Sequence, residues 1–219
     1  MEVIRGKESR ALDAPALAGQ LRGYRHVVLD LGTGDGRYAL QVARQDPATF
    51  AIGLDACREN LRATSRTAPP NALFVIANAL DLPAELHGLA HRITINFPWG
   101  SLLAGLLAGD PRLLGGLRHL ARAESGAGLE IRLNEGALLE VGCSLAEGAA
   151  RVRRVLGESG FVVGRPTALD GANLRSFPSN WARRLAHGPH PRALELRATI
   201  PAAPAVQGPL TAGHGQAAG

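Results

Sequence analysis

Asp30, Gly32, Gly34 and Gly36 fall at every second position where an apolar run ends and a helix-like segment begins. Glycines at that spacing let a backbone approach a ligand where a Cβ would clash. The first N–H groups of the following helix are unpaired and point at the same place. The pattern predicts a small-molecule site at a strand end. Its electrostatics favour a cation, because Asp35 adds a second carboxylate inside the turn. The chain's two tryptophans, Trp99 and Trp181, each follow a proline-containing stretch, Phe97-Pro98 and Pro178-Ser179-Asn180. Two indoles at one cleft would sandwich a flat base at ~1–3 kcal/mol per base. That offsets part of the few kcal/mol needed to turn a nucleotide out of its helix.

Two ligand readings compete for the glycine turn. Gly34-Asp35-Gly36-Arg37-Tyr38-Ala39 matches the dinucleotide pattern G-x-G-x-x-A. Asp30-Leu31-Gly32-Thr33-Gly34-Asp35-Gly36 matches D-x-G-x-G-x-G, the signature of class I S-adenosylmethionine methyltransferases. Asp35 favours the second: a pyrophosphate would sit against its carboxylate, whereas S-adenosylmethionine carries a sulfonium and an ammonium. An ordinary strand–turn–helix without a ligand is the bland alternative. A second apolar run, Phe50 to Leu54, ends in Asp55, where a carboxylate can accept both ribose hydroxyls. Asp55 is equally suited to capping the helix after it, and the two roles are compatible.

The elements that must carry these residues alternate. Strands are expected at His26–Leu31, Phe50–Asp55, Leu73–Ala77, Ile93–Asn96, Leu129–Leu133, from Phe161, and at Ala193–Ile200. Helices are expected at 14–22 behind an Asp13 cap, at 37–44, over Arg58 to Arg66, at 102–108 capped by Ser101, at 111–121, and at 145–159. Alternation of this kind makes an α/β fold with a largely parallel sheet. Seven strands, the last pair hairpin-like, make it the Rossmann-like class I methyltransferase sheet, with a short hairpin extension around Gly6-Lys7. The organisation expected is one domain over 1–200, with an N-terminal extension at 1–12, a target-binding linker at 165–192 and a disordered tail at 201–219. Asn78 or Asp81, after the third strand, would meet an adenine edge.

The chain has 219 residues and a formal net charge of +5. Lys7 is its only lysine, so 23 of its 24 basic residues are arginine. Arginine forks onto phosphates and stacks on bases, but a chain this rich in Ala, Gly, Pro and Arg also reflects high-GC coding. No apolar run reaches a membrane span, and the charged N-terminus lacks a signal region. Cys57 and Cys143 have no metal-ligand spacing, so no metal is expected and a reducing cytoplasm is the expected compartment. Arg58, Arg62 and Arg66 share one helical face, either a solvated face or a phosphate-contacting stripe. Arg175, Arg183, Arg184, Arg192 and Arg197 oppose only Glu195 between 175 and 197. Together they would grip an RNA by its phosphates and shape.

Asn96-Phe97-Pro98-Trp99 also has the N-x-P-aromatic form of methyltransferases that act on exocyclic amines. Adenine then offers two targets. Its N1 has an in-plane lone pair and needs alignment rather than a general base.

Phe97-Pro98-Trp99-Gly100-Ser101-Leu102-Leu103, with Ser179-Asn180-Trp181-Ala182-Arg183-Arg184-Leu185-Ala186, resembles the 16S ribosomal RNA adenine-1408 N1-methyltransferases, the aminoglycoside-resistance enzymes of kanamycin–apramycin type. The likeness runs from about residue 1 to 200 and includes the N-terminal segment. It implies that Trp99 and Trp181 stack on a flipped adenine and that Ser179 holds the target nucleotide. It implies S-adenosylmethionine as cofactor, held by Asp30, Gly32, Thr33, Gly34, Asp55, Ala56, Ala79, Leu80, Asn96, Phe97, Pro98, Gly100, Ser101 and Leu102. Arg58, Arg62, Arg66, Arg183, Arg184 and Arg192 become the docking surface for the 30S subunit at its decoding site, reached by a monomer. Leu80 departs from the family's usual Glu, which implies weaker cofactor binding; Pro191 precedes Arg192 where the family has a basic residue. A turnover-poor 30S-binding homologue and a methyltransferase for another RNA base are the alternatives.

Overall fold

The computed structural model describes residues 1–179, 182, 185–186 and 192–202. Trp181, Arg183, Arg184 and the segment 203–219 lie outside the described residues.

One sheet runs through the described chain. Its parallel middle is β3 (His26–Leu31), β4 (Thr49–Asp55), β5 (Ala72–Ile76), β6 (Arg92–Asn96) and β7 (Ala127–Asn134). The strands lie in the order β5-β4-β3-β6-β7, so the order reverses between β3 and β6. These strands are apolar along their length because helices cover both faces. β10 (Ala193–Ile200) runs antiparallel to β7 with Leu196 opposite Ile131. The N-terminal hairpin, β1 (Glu2–Arg5) and β2 (Glu8–Ala11), does not stand apart: β1 pairs antiparallel with β5 and extends the sheet. The expected sixth strand is short, β8 (Val162–Val163), and a two-residue β9 (Thr167–Ala168) also pairs with β10.

The helices fall close to their predicted positions: α1 (Ala14–Leu21), α2 (Arg37–Gln45), α3 (Arg58–Arg66), α4 (Gly100–Ala108), α5 (Pro111–Leu120) and α7 (Leu145–Glu158). Asp13 caps α1 through the Ala16 N–H, and Ser144 and Glu147 form a reciprocal capping box on α7. The expectation that Ser101 caps α4 is corrected. The helix starts one residue before it, with Trp99 in the extended cap conformation, so Ser101 lies inside the first turn. Two short helices lacked a periodic signal in the sequence, α6 (Glu135–Glu140) and α8 (Gly171–Ser176).

Among the described residues, three apolar clusters hold this together. The largest lies under α4, α5 and α7 and includes Leu29, Ile93, Leu106 and Val152. A second joins α2 and α3 to the opposite face through Val28, Ala39, Leu61 and Phe74. A third gathers Phe97, Leu174, Ala182, Leu185, Ala186 and Ala193. That third cluster gives the 165–192 linker its own anchorage on the sheet.

Candidate active site

The carboxyl ends of β3, β4, β5 and β6 open onto one cleft of about 610 Å³. Its place at the reversal of strand order is where open α/β sheets bind ligands, and its size is that of a small-molecule site.

The three glycines of the turn after β3 all have positive φ, 65°, 58° and 74° for Gly32, Gly34 and Gly36. They answer to different neighbours. A Cβ on Gly32 would lie 2.7 Å from Leu102 Cδ2, and one on Gly36 would lie 2.4 Å from Phe74 Cε1. A Cβ on Gly34 would meet nothing within 4 Å. Packing against the Phe74 ring thus requires Gly36, at Gly32 the end of the Leu102 side chain would have to shift, and Gly34 leaves the cleft floor bare. The Gly34 N–H donates to Asp55 Oδ2 at 2.8 Å, and Asp55 Oδ1 accepts the Cys57 N–H at 2.8 Å. Asp55 Oδ1 also accepts from Asn60 Nδ2 at 3.3 Å. An ionised carboxylate has about four acceptor positions, so about one, on Oδ2, is left for a ligand hydroxyl unless Asn60 turns away.

Asp30 is buried at the base of the cleft. Its Oδ2 accepts from Thr33 Oγ1; its Oδ1 accepts from Thr94 Oγ1 at 2.7 Å and from Asn96 Nδ2 at 2.8 Å. Burial raises its pKa from 3.8 to about 6, against those three hydrogen bonds and the charge of Arg132, which lower it. Asn96 turns its other end to Arg132, whose Nη1 donates to Asn96 Oδ1 at 2.7 Å. Arg132 also pairs with Glu130 at 2.8 Å and Glu195 at 2.7 Å. Burial works against its charge, but Tyr38, Glu130 and Glu195 prevail and its pKa is raised.

The cleft walls are mixed. Phe97, Pro98, Trp99 and Leu102 are apolar, and Phe97 holds a positive φ of 53°, which costs a side-chain-bearing residue energy. Its N–H is fixed by the Arg132 carbonyl at 2.7 Å. Trp99 is half-buried, packed against the main core yet on the cleft wall. Phe177, Pro178 and Ser179 close the far side.

Most of the expected cofactor residues meet here. Asp30, Gly32, Thr33, Gly34, Asp55 and Ala56 line the cleft from one side; Ala79, Asn96, Phe97, Pro98, Ser101 and Leu102 line it from the other. Asn78 lines it too, although its Oδ1 accepts the Leu80 N–H at 2.9 Å; Asp81 does not. Gly100 and Leu80 are not on the wall. Leu80 packs against the main core, with its Cδ2 3.3 Å from where Gly105 would carry a Cβ. An apolar side chain there prefers the helix to the cleft.

The arginine stripe of α3 divides. Arg58 is turned to the hairpin, paired with Glu2 and donating to Ser9 Oγ at 3.0 Å. Arg62 is exposed and pairs with Glu59 at 3.2 Å, and Arg66 is exposed beside Gly6. Arg192 pairs with Glu135 at 3.2 Å and thereby fixes α6.

Sequence reasoning passed over Arg132, Thr94, Tyr38 and Phe177. The signal available was the alternation Leu129-Glu130-Ile131-Arg132-Leu133, which sets an acid and an arginine on one face of a strand and marks an ion pair.

The cleft fits S-adenosylmethionine by its chemistry: three carboxylates, Asp30, Asp35 and Asp55, for cationic and hydroxyl groups, and apolar walls for a base. Among the described residues no group of His, Cys, Asp and Glu is arranged for a metal ion, and no helix is long and apolar enough to cross a membrane.

Comparison with known proteins agrees on one family. Residues 2–200 match the family described as NpmA: 16S rRNA (adenine(1408)-N(1))-methyltransferase. A 16S rRNA (adenine(1408)-N(1))-methyltransferase of Escherichia coli is 33% identical over 207 residues, covering 86% of this chain and 93% of that protein. Among solved structures, the 16S rRNA methyltransferase KamB superposes with a TM-score of 0.82 at 28% identity, covering 92% of this chain and 100% of that one. The aminoglycoside resistance methyltransferase NpmB1 gives 0.74 at 31% identity, over 91% and 98%. A variant of the Catenulisporales acidiphilia 16S rRNA (adenine(1408)-N(1))-methyltransferase, solved with its cosubstrate SAM, gives 0.78 at 28%, over 91% and 96%.

Proposed function

This chain belongs to the 16S rRNA (adenine(1408)-N(1))-methyltransferase family, and on that premise we propose how its residues share the work. It is an S-adenosylmethionine-dependent enzyme that methylates N1 of adenine 1408 in 16S rRNA, the modification of aminoglycoside resistance. We assign its substrate to the assembled 30S subunit, its compartment to the cytoplasm, and its working form to a monomer whose single domain spans residues 1–200.

Bound S-adenosylmethionine would supply an electrophilic methyl, which adenine N1 would take through its in-plane lone pair as the methyl–sulfur bond breaks and S-adenosylhomocysteine leaves. What the protein must do is align and desolvate. Asp30 and Asp35 favour the cofactor's positive groups, Asp55 accepts a ribose hydroxyl, and the bare floor at Gly34 admits the backbone-hugging part of the ligand. Trp99 and Trp181 stack on the turned-out adenine while Ser179 holds its nucleotide. Arg62, Arg66, Arg183 and Arg184 grip phosphates. The cleft wall holds no His, Cys or Lys among the described residues, which suits a reaction at a nitrogen that bears no proton.

The match to the adenine-N1 family over residues 2–200 carries N1 over an exocyclic amine, and the setting of Asn96, with one lone pair of Oδ1 already taken, accords with it. In the N-x-P-aromatic arrangement the Asn oxygen must receive the target NH2. Here Asn96 Oδ1 takes a guanidinium N–H from Arg132 at 2.7 Å and Nδ2 gives to Asp30 at 2.8 Å. Turning the amide over would set oxygen against carboxylate and NH2 against guanidinium, so its neighbours lock it.

The test is transfer of tritium from labelled S-adenosylmethionine to 30S subunits, naked 16S rRNA and tRNA in parallel. Label in 30S alone, with a primer-extension stop at adenine 1408, is the expected result. Label in naked RNA or tRNA moves the substrate, and 30S binding without label sustains the turnover-poor alternative.

A further inference from the structure

Arg132 is a buried cation in the middle of the sheet's active edge. Its guanidinium is shared between Glu130, Glu195 and Asn96 Oδ1. The carbon of that guanidinium lies 5.2 Å from the centre of the Phe177 ring and 5.8 Å from that of Tyr38. Phe177 stacks on Tyr38 with centroids 5.1 Å apart and meets Phe97 edge-on at 5.2 Å. One charged group thus touches the frame of the cofactor cleft through Asn96 and the linker through Phe177. The next two residues of the linker, Pro178 and Ser179, are cleft wall.

An apolar residue would fill this position at lower desolvation cost, since buried ion pairs seldom repay their loss of water. The cluster is better explained by what a planar cation does that an apolar side chain cannot. It accepts a ring on its face while its edge holds carboxylates and an amide. We propose that Arg132 is the positioning residue that seats the Phe177–Ser179 segment over the cofactor cleft and so governs methyl transfer to the docked target. This rests on the reading of Ser179 as a holder of the target nucleotide. The neighbouring contacts leave a defined role for the ring: Phe177 is partly buried and packs against the apolar cluster of Leu174, Ala182 and Leu185, a contact that a leucine's bulk retains. Removing the π face alone therefore spares that anchorage.

The experiment is a double-mutant cycle on the full chain with Arg132→Lys and Phe177→Leu, with Phe177→Tyr as the conservative control. Arg132→Lys keeps the charge facing Glu130 and Glu195 and removes the plane; Phe177→Leu keeps the bulk and removes the ring. Single-turnover and steady-state methylation of 30S subunits, calorimetry with S-adenosylhomocysteine, and thermal melts are measured on each. Each single variant should lose roughly tenfold in kcat, the scale of a desolvated cation–π contact. KM for 30S should stay within about twofold, because docking rests on other arginines. The double variant should lose no more than the worse single one, and Phe177→Tyr should retain nearly full kcat. Multiplying losses overturn the proposal, as does a Phe177→Leu variant as active as the Phe177→Tyr variant, which would reduce the ring to filler. If the wild-type enzyme labels no 30S, the assigned substrate fails instead. The cycle is then read in S-adenosylhomocysteine affinity, where Phe177 lines the cleft: equal, non-additive losses sustain the seating role and additive ones overturn it.

Discussion

Asn96 donates its side-chain N–H to Asp30 across 2.8 Å, and it does so from the strand next door. The bond joins the two motifs that sequence reading treats separately, the acidic glycine turn after β3 and the aromatic loop after β6. Asn96→Ala should leave Asp30 short of a donor and Arg132 short of an acceptor, at about 1–3 kcal/mol. Denaturant melts would register that loss. Mass spectrometry of digested rRNA from the weakened enzyme should still show 1-methyladenosine; N6-methyladenosine from the wild type would overturn the N1 assignment.

Asp30 makes cofactor binding pH-dependent. Burial, its largest influence, raises its pKa from 3.8 to about 6. A raised carboxylate pKa means that the folded chain holds the proton more tightly than the unfolded one. The ionised group therefore costs stability above about pH 6, and this cost disappears as pH falls towards 3.8. Relative to Asp30→Asn, the wild-type protein should gain melting temperature between pH 7 and pH 5. Cofactor affinity runs the other way, because cationic groups need the ionised form. Kd for S-adenosylmethionine by calorimetry should rise by up to about tenfold per unit below pH 6; a flat profile would remove Asp30 from cofactor recognition.

Glycine replacements should separate packing from ligand approach. Gly36→Ala sets a Cβ 2.4 Å from the Phe74 ring, so thermal melts should show a loss beyond the ~1–2 kcal/mol of the left-handed backbone. Gly34→Ala meets no neighbour and should cost only that backbone term. Yet Gly34→Ala should weaken S-adenosylmethionine at least tenfold, since its methyl projects into the cleft. Unchanged affinity would show that the ligand does not cross Gly34.

Trp99→Ala should lower methylation of 30S by at least a hundredfold while sedimentation shows docking little changed. The residue is half-buried and occupies the cap position before α4, so a modest fall in melting temperature accompanies it. Global unfolding would instead make the indole a core residue.

The arginines of α3 should behave unequally. Arg62→Glu and Arg66→Glu should weaken 30S binding and flatten its salt dependence by about one unit of slope per lost phosphate contact. Arg58→Ala should chiefly release the hairpin, because its charge is spent on Glu2 and Ser9. A uniform effect on docking at all three positions, with no change in hairpin protection by hydrogen exchange, would contradict this division.

Local chemistry was enough to read the frame. Apolar runs ending in Asp30 and Asp55, glycines at alternate positions and helices with polar caps obey rules of spacing along the chain, so the sheet and its cofactor turn were legible without coordinates. Trp99 was legible because an indole behind a proline is conspicuous in sequence. Relationships across strands were not. That Arg58 serves the hairpin, that Leu80 turns to Gly105 rather than the cleft, and that Ser101 does not cap α4 depend on neighbours remote in the chain or on a backbone bend at Phe97. Arg132 is the clearest case. Beside Glu130 on its own strand, its charge is held by Asn96, Glu195, Tyr38 and Phe177, which β6, β10, α2 and the linker bring to it. A buried charge takes its meaning from partners that folding assembles, and spacing along β7 names only Glu130, two residues away on the same face.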